Sequence, residues 1–129
     1  MKSTPIPPVP AAGMPDTFGR VATDLRVSVT DRCNLRCSYC MPAEGLPWMP
    51  KPEMLTDDEL LAIIAVFIGL GVRQVRLTGG EPLLRRSLVD LVAGIAALEP
   101  RPVIAMTPMA LAWTALLRRW PQRAWTGSM

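Results

Sequence analysis

Eight residues, Cys33-Asn34-Leu35-Arg36-Cys37-Ser38-Tyr39-Cys40, carry all three cysteines of the chain, spaced C-x3-C-x2-C, and the chain has no histidine. Thiolates are soft ligands. Three of them on one loop make a sulfur-only site suited to an iron–sulfur cluster, zinc or Cu(I). A structural zinc closes its shell with four ligands, usually Cys or His, and only three are on offer here. Three is also an odd number, so any disulfide scheme leaves one thiol over. A four-iron cluster held by three cysteines keeps one iron without a protein ligand, and that iron can take a small molecule. The cluster is the leading reading, with zinc completed by a borrowed ligand or a chance grouping as the alternatives.

The second stretch with chemical meaning is Thr78-Gly79-Gly80-Glu81-Pro82. Paired glycines let a ligand approach the backbone closely, and Glu81 with Pro82 fixes how the chain leaves the turn. Taken alone, a Gly-Gly pair is most often only a turn. What gives it weight is its place after a strand and downstream of the cysteine loop.

The elements around these two stretches form a regular series. Leu25-Arg26-Val27-Ser28-Val29 alternates apolar and polar residues and predicts a strand with Leu25, Val27 and Val29 on one face. Thr30 and Asp31 then lead into the cysteines, so the thiols lie just past a strand's C-terminal end, where parallel α/β folds place their chemistry. Residues 41–52 are expected to form a loop with four prolines, in which Trp48 is expected to plug an apolar gap. Thr56 to Glu59 is a capping box, predicting a helix to about Leu70 that Gly71 ends. That helix is apolar nearly all round, which predicts burial on more than one side. A second strand is expected over residues 72–77, and a second helix from Ser87, as N-cap, to Leu98. A third strand is expected over residues 102–106. The order βαβαβ predicts an α/β fold with a parallel sheet.

Composition bounds the rest. At 129 residues, with 50% hydrophobic and 19% charged, the chain fits one domain with a real core. Of fourteen prolines, five fall within residues 1–15, which read as a disordered, proline-stiffened arm rather than a signal peptide. A net charge of +3 is mild, and no aromatics interleave with Arg73, Arg76, Arg85 and Arg86, which argues against nucleic acid. The longest apolar run, residues 60–72, is shorter than the roughly 18 residues a membrane span needs. Cysteines in a metal-like spacing point to the cytoplasm.

C-x3-C-x2-C is the signature of radical S-adenosylmethionine (SAM) enzymes, and Gly79-Gly80-Glu81-Pro82 resembles their GGEP motif, which meets the amino end of SAM. The resemblance becomes narrower over residues 24–33, through Cys40-Met41-Pro42, and again over residues 75–86. There the chain resembles the GTP 3',8-cyclase family, lyases that open molybdenum cofactor biosynthesis, from about Asp16 to Thr107. The resemblance implies that Cys33, Cys37 and Cys40 hold a [4Fe–4S] cluster whose open iron takes SAM. It implies that Tyr39, the only tyrosine, and Gly80 contact SAM, and that Arg26, Arg76 and Thr107 contact GTP. A 5'-deoxyadenosyl radical then takes a ribose hydrogen, and C3' closes onto C8 to give 3',8-cyclo-7,8-dihydro-GTP. Guanidinium forks suit phosphate oxygens, although an isolated surface arginine is more often only solvated.

The departures set further expectations. Members of the family continue past the third strand with Thr-Thr-Asn-Gly, complete a partial (βα)6 barrel, and carry three further cysteines for a second, guanine-binding cluster. Here Thr107 is followed by Pro108-Met109-Ala110, and residues 108–129 are rich in Trp and Arg. In that tail Met109, Trp113, Leu116, Leu117 and Trp120 could share a helix face. Residues 16–107 therefore read as the first part of a radical SAM core of about three βα units, a truncated barrel followed by an unrelated tail. Alone, such a chain is expected to be inactive as a cyclase and to expose a parallel sheet edge. Its expected partners are GTP, a one-electron reductant, and a second copy or another chain that completes the barrel. The alternatives are a non-catalytic cluster-binding module or partner subunit, and another radical SAM chemistry.

Overall fold

The computed structural model describes residues 13–108. Most of the proline-rich arm and nearly all of the Trp/Arg tail, including its expected helix, lie outside the described residues. Three strands, β1 (Asp24–Ser28), β2 (Gln74–Thr78) and β3 (Val103–Met106), alternate with two helices, α1 (Asp57–Gly69) and α2 (Leu88–Ala96). The sheet order is β1-β2-β3 and both pairings are parallel, so the α/β class is as expected. Three strands form an open sheet; a barrel is not formed among the described residues.

α1 begins at the capping box. Thr56 accepts the Glu59 backbone N–H at 3.3 Å, and the Glu59 carboxylate accepts the Thr56 N–H at 2.8 Å. Each side chain satisfies a backbone donor that the first helical turn leaves orphaned. The helix ends at Gly71, whose φ of +103° belongs to the left-handed region that glycine tolerates. α2 differs slightly from its prediction. Ser87 stands at its N-cap, but its side chain makes no capping bond, and regular helix ends at Ala96.

Alternation along the strands separates two faces. Val75, Leu77, Ile104 and Met106 bury one face against Leu60, Ile64 and Ile68 of α1 and Leu88, Leu91, Val92 and Ile95 of α2, with Leu25 and Val27 packed at the margin. Each such buried aliphatic side chain contributes roughly 1.5–3 kcal/mol of transfer free energy. The helices approach closely: a Cβ on Gly94 would lie 2.7 Å from a Leu61 methyl. α1 is buried on fewer sides than its composition predicts. Ile63 and Val66 face away from the core and are 42% and 40% exposed. Trp48 is half-buried and lies outside the core cluster. Among the described residues no helix is long and apolar enough to cross a membrane.

The opposite face of the sheet bears Arg26, Ser28, Arg76 and Thr78, and neither helix covers it. The segment before β1 is a turn closed by a Pro15–Val21 bridge. Within it the Asp16 carboxylate accepts the Phe18 and Arg20 N–H groups and pairs with the Arg20 guanidinium at 2.6 Å.

Candidate functional site

β1 and β2 stay in register beyond their last strand residues. The Val29 N–H donates to the Thr78 carbonyl at 2.9 Å, Gly80 to Thr30 at 2.9 Å, and Glu81 to Arg32 at 2.8 Å. The Gly79-Gly80-Glu81 turn is thereby zipped onto the residues that run into the cysteine loop. Here the glycines serve a purpose the sequence did not reveal. A Cβ on Gly79, whose φ is +138°, would fall 2.2 Å from the Thr30 carbonyl oxygen, and one on Gly80 would fall 2.3 Å from that of Arg32. The close approach that glycine permits is, on this side, an approach by the chain itself. Glu81 is buried and accepts the Leu83 N–H at 3.1 Å, which starts a short 3₁₀ turn at Pro82–Leu84.

The cysteine loop is held by fewer bonds. Cys40 and Met41 both donate backbone N–H groups to the Cys37 carbonyl, at 3.1 and 3.0 Å. The Arg36 guanidinium reaches back to the carbonyls of Cys33 and Leu35, at 3.0 and 2.9 Å. All three thiols are free, with Cys33 and Cys37 half-buried and Cys40 exposed. Loss of hydration pushes the Cys40 thiol up from its ordinary value, and the neighbouring Cys37 and Cys33 sulfurs push it further. Among the described residues no three acidic or thiol side chains converge as a ready metal site. As a donor set they fit an iron–sulfur cluster: soft sulfur from one loop, in a chain without histidine. Such a loop reaches its final ligand geometry when the metal binds, because a preformed site is not required for binding. Tyr39 lies within the loop and is 81% exposed.

The arginines expected to contact phosphate come together. Arg26 of β1 stands directly beside Arg76 of β2, and Arg76 beside Ala105 of β3, on the face the helices leave open. Neither guanidinium makes a hydrogen bond or ion pair among the described residues. Two adjacent cations on a sheet repel unless an anion joins them. Thr107, just past β3, is exposed and continues the alternation of Ala105 on that face.

Two residues escaped sequence reasoning. Asp31 accepts the Met49 N–H on Oδ2 at 2.5 Å, tying the start of the cysteine loop to the proline-rich loop that follows. Its Oδ1 is shut off from solvent without a partner. Arg85, grouped by sequence with Arg73, Arg76 and Arg86, is turned inward, its side chain only 12% exposed. No periodicity or charge pattern marks either; both roles depend on residues 18 or more positions away.

The Radical SAM superfamily profile matches residues 27–120. Among curated proteins, the chain is 63% identical over 93 residues to the GTP 3',8-cyclase of Streptomyces coelicolor, covering 71% of this chain and 27% of that protein. It is 60% identical over 105 residues to that of Mycobacterium sp. (strain KMS), covering 76% and 30%. It is 57% identical over 106 residues to that of Mycolicibacterium smegmatis, covering 81% and 29%. The chain therefore spans between 27% and 30% of the length of these relatives. With its three-cysteine loop set at the end of a parallel strand, it belongs to the radical SAM superfamily.

Proposed function

We propose that this chain forms the first three βα units of a radical SAM partial (βα)6 barrel and the corresponding part of a GTP 3',8-cyclase active site. Cys33, Cys37 and Cys40 would hold a [4Fe–4S] cluster, Tyr39 and Gly80 would meet SAM, and Arg26, Arg76 and Thr107 would meet GTP. When bound, the cluster and SAM supply a radical able to take a hydrogen from the ribose. The chain's own contribution is placement. Arg26 and Arg76 present two forks to the triphosphate, and the zipped Gly79-Gly80-Glu81 turn sets a fixed distance between the cluster loop and that nucleotide face. Fixed placement matters because an error of about 1 Å can cost on the order of a hundredfold in rate.

The observation that carries this reading is the register of Arg26 with Arg76 on the open face, with a three-thiol loop following the strand that carries Arg26. A nucleotide triphosphate neutralises that pair, and the relatives reported above are named for GTP. The test has two arms, both anaerobic. Reconstitution with iron and sulfide should yield one cluster, and Cys33→Ala, Cys37→Ala or Cys40→Ala should each abolish it. Calorimetry should show GTP binding that falls at least tenfold in Arg26→Ala and in Arg76→Ala, with guanosine binding no better than those variants. Iron uptake unaffected by all three cysteine substitutions, or GTP binding indifferent to both arginines, would overturn the reading.

A further inference from the structure

The Arg85 side chain makes four hydrogen bonds to residues 28 or more positions away, and it sits where the two halves of the candidate site meet. Its Nε and Nη2 both donate to Asp57 Oδ1, at 3.0 and 2.5 Å, in the first turn of α1. Nη1 donates to the Val29 carbonyl at 2.6 Å, and Nη2 to the Leu55 carbonyl at 3.2 Å. Its own backbone N–H closes the turn onto the Pro82 carbonyl at 3.1 Å. One inward-turned guanidinium thus joins three segments: the end of β1, the start of α1 and the 3₁₀ turn that follows Gly79-Gly80-Glu81.

We propose that Arg85 is a positioning residue that locks the run into the cysteine loop against the Gly79-Gly80-Glu81 turn, and so fixes where the cluster ligands stand relative to the SAM-facing turn. The second half of this statement rests on the cluster-and-SAM reading above; the first half rests on geometry alone. Val29 immediately precedes Thr30, whose carbonyl receives Gly80, and Arg32, which receives Glu81, is three residues on. Without the fork, that run keeps its backbone bonds to the turn and the Asp31–Met49 tie, and neither reaches α1. It also has somewhere to go: a cavity of about 270 Å³ beside Arg85 is lined by Val29, Thr30, Asp31 and Leu55. The planar fork is what the place demands. A lysine supplies one compact ammonium and cannot meet the Val29 carbonyl, the Leu55 carbonyl and Asp57 with fixed geometry.

Amide hydrogen exchange on the metal-free chain reads the lock directly. In Arg85→Met the amides of Val29, Gly80 and Glu81 should exchange at least tenfold faster, while those of Leu91, Val92 and Ile104 keep their parent rates. Arg85→Lys should recover part of that protection. Equal rates at Val29, Gly80 and Glu81 in Arg85→Met, or a uniform acceleration across all elements with no recovery in Arg85→Lys, would overturn the proposal. If Arg85→Met does not fold, Arg85→Lys is read alone, with selective acceleration at the three amides supporting the lock and uniform acceleration refuting it. In reconstituted protein, Arg85→Met should keep the parent's iron content yet lose the change that SAM makes to the paramagnetic resonance of the reduced cluster. If that change persists, the link to the cluster falls. If the parent takes up no iron, the cluster reading fails, and the exchange rates still decide the lock.

Discussion

On one side of the candidate site β2 runs between two neighbours, and Val75 and Leu77 have no solvent exposure. The Gly79-Gly80-Glu81 turn beyond it is fixed by backbone bonds, a buried Glu81 and the inward-turned Arg85. On the other side, residues 31–50 contain no helix or strand, and the three thiols are held by a few local bonds and one reach-back from Arg36. The difference separates two kinds of preorganisation. The turn is placed by folding and can act as a wall. In the proposed reading the thiol loop would take its final shape from its ligand, with metal-binding free energy ordering it.

The sharpest way to break this comparison is Gly80→Ala. The added methyl meets the Arg32 carbonyl oxygen at 2.3 Å and the Asp31 oxygen at 2.7 Å, both of them backbone atoms that cannot swing aside. A loss of about 3 kcal/mol in urea unfolding is expected, since overpacking against fixed backbone lies at the upper end of such effects. A variant as stable as the parent would show that the wall is soft.

A smaller effect is expected from Thr56→Ala, which removes the acceptor for the Glu59 N–H at the start of α1. The expected cost is about 1 kcal/mol in the same assay. Because Asp57 ties this turn to Arg85, the loss should also raise exchange at Gly80 and Glu81. Acidification tests the same cap. The Thr56 backbone N–H, then its hydroxyl, holds the Glu59 carboxyl below its ordinary value. Folding therefore favours the ionised form. That stabilisation is present at neutral pH and is lost as the pH falls through the folded-state value. The melting-temperature gap between parent and Glu59→Gln should accordingly be widest near neutrality and close in acid; a gap constant with pH would remove Glu59 from the account.

The smallest expected effect sharpens the contrast. In metal-free protein Cys37→Ala should shift stability by less than about 0.5 kcal/mol, as a substitution away from packed core does. The same change should abolish iron uptake. A large loss of stability without metal would mean that the thiol loop is as much a product of folding as the turn.

Period-2 alternation in Leu25-Arg26-Val27-Ser28-Val29 and the Thr56–Glu59 box were enough to read β1 and the start of α1, because both signals are local. Strand limits moved by a residue or two, since pairing with a neighbour, not composition, decides where a strand ends. The all-round apolar α1 was read as buried on more than one side. In the folded chain Leu60, Ile64 and Ile68 are taken up and Ile63 and Val66 are not, because the described residues place elements on one side only.

For the site, the sequence by itself determined the donor chemistry. Three cysteines at C-x3-C-x2-C, no histidine and a Gly-Gly-Glu-Pro turn are matters of residue type and spacing, and backbone connectivity keeps the thiols on one loop whatever the fold. Only tertiary structure decided that Arg26 and Arg76, fifty residues apart, stand side by side. It alone made the glycines a seat for Thr30 and Arg32, and turned Arg85 into the seam. Each of these depends on the parallel register of β1 with β2. That register is set by the whole buried face of Val75, Leu77, Ile104 and their helical partners, and no local stretch of sequence encodes it.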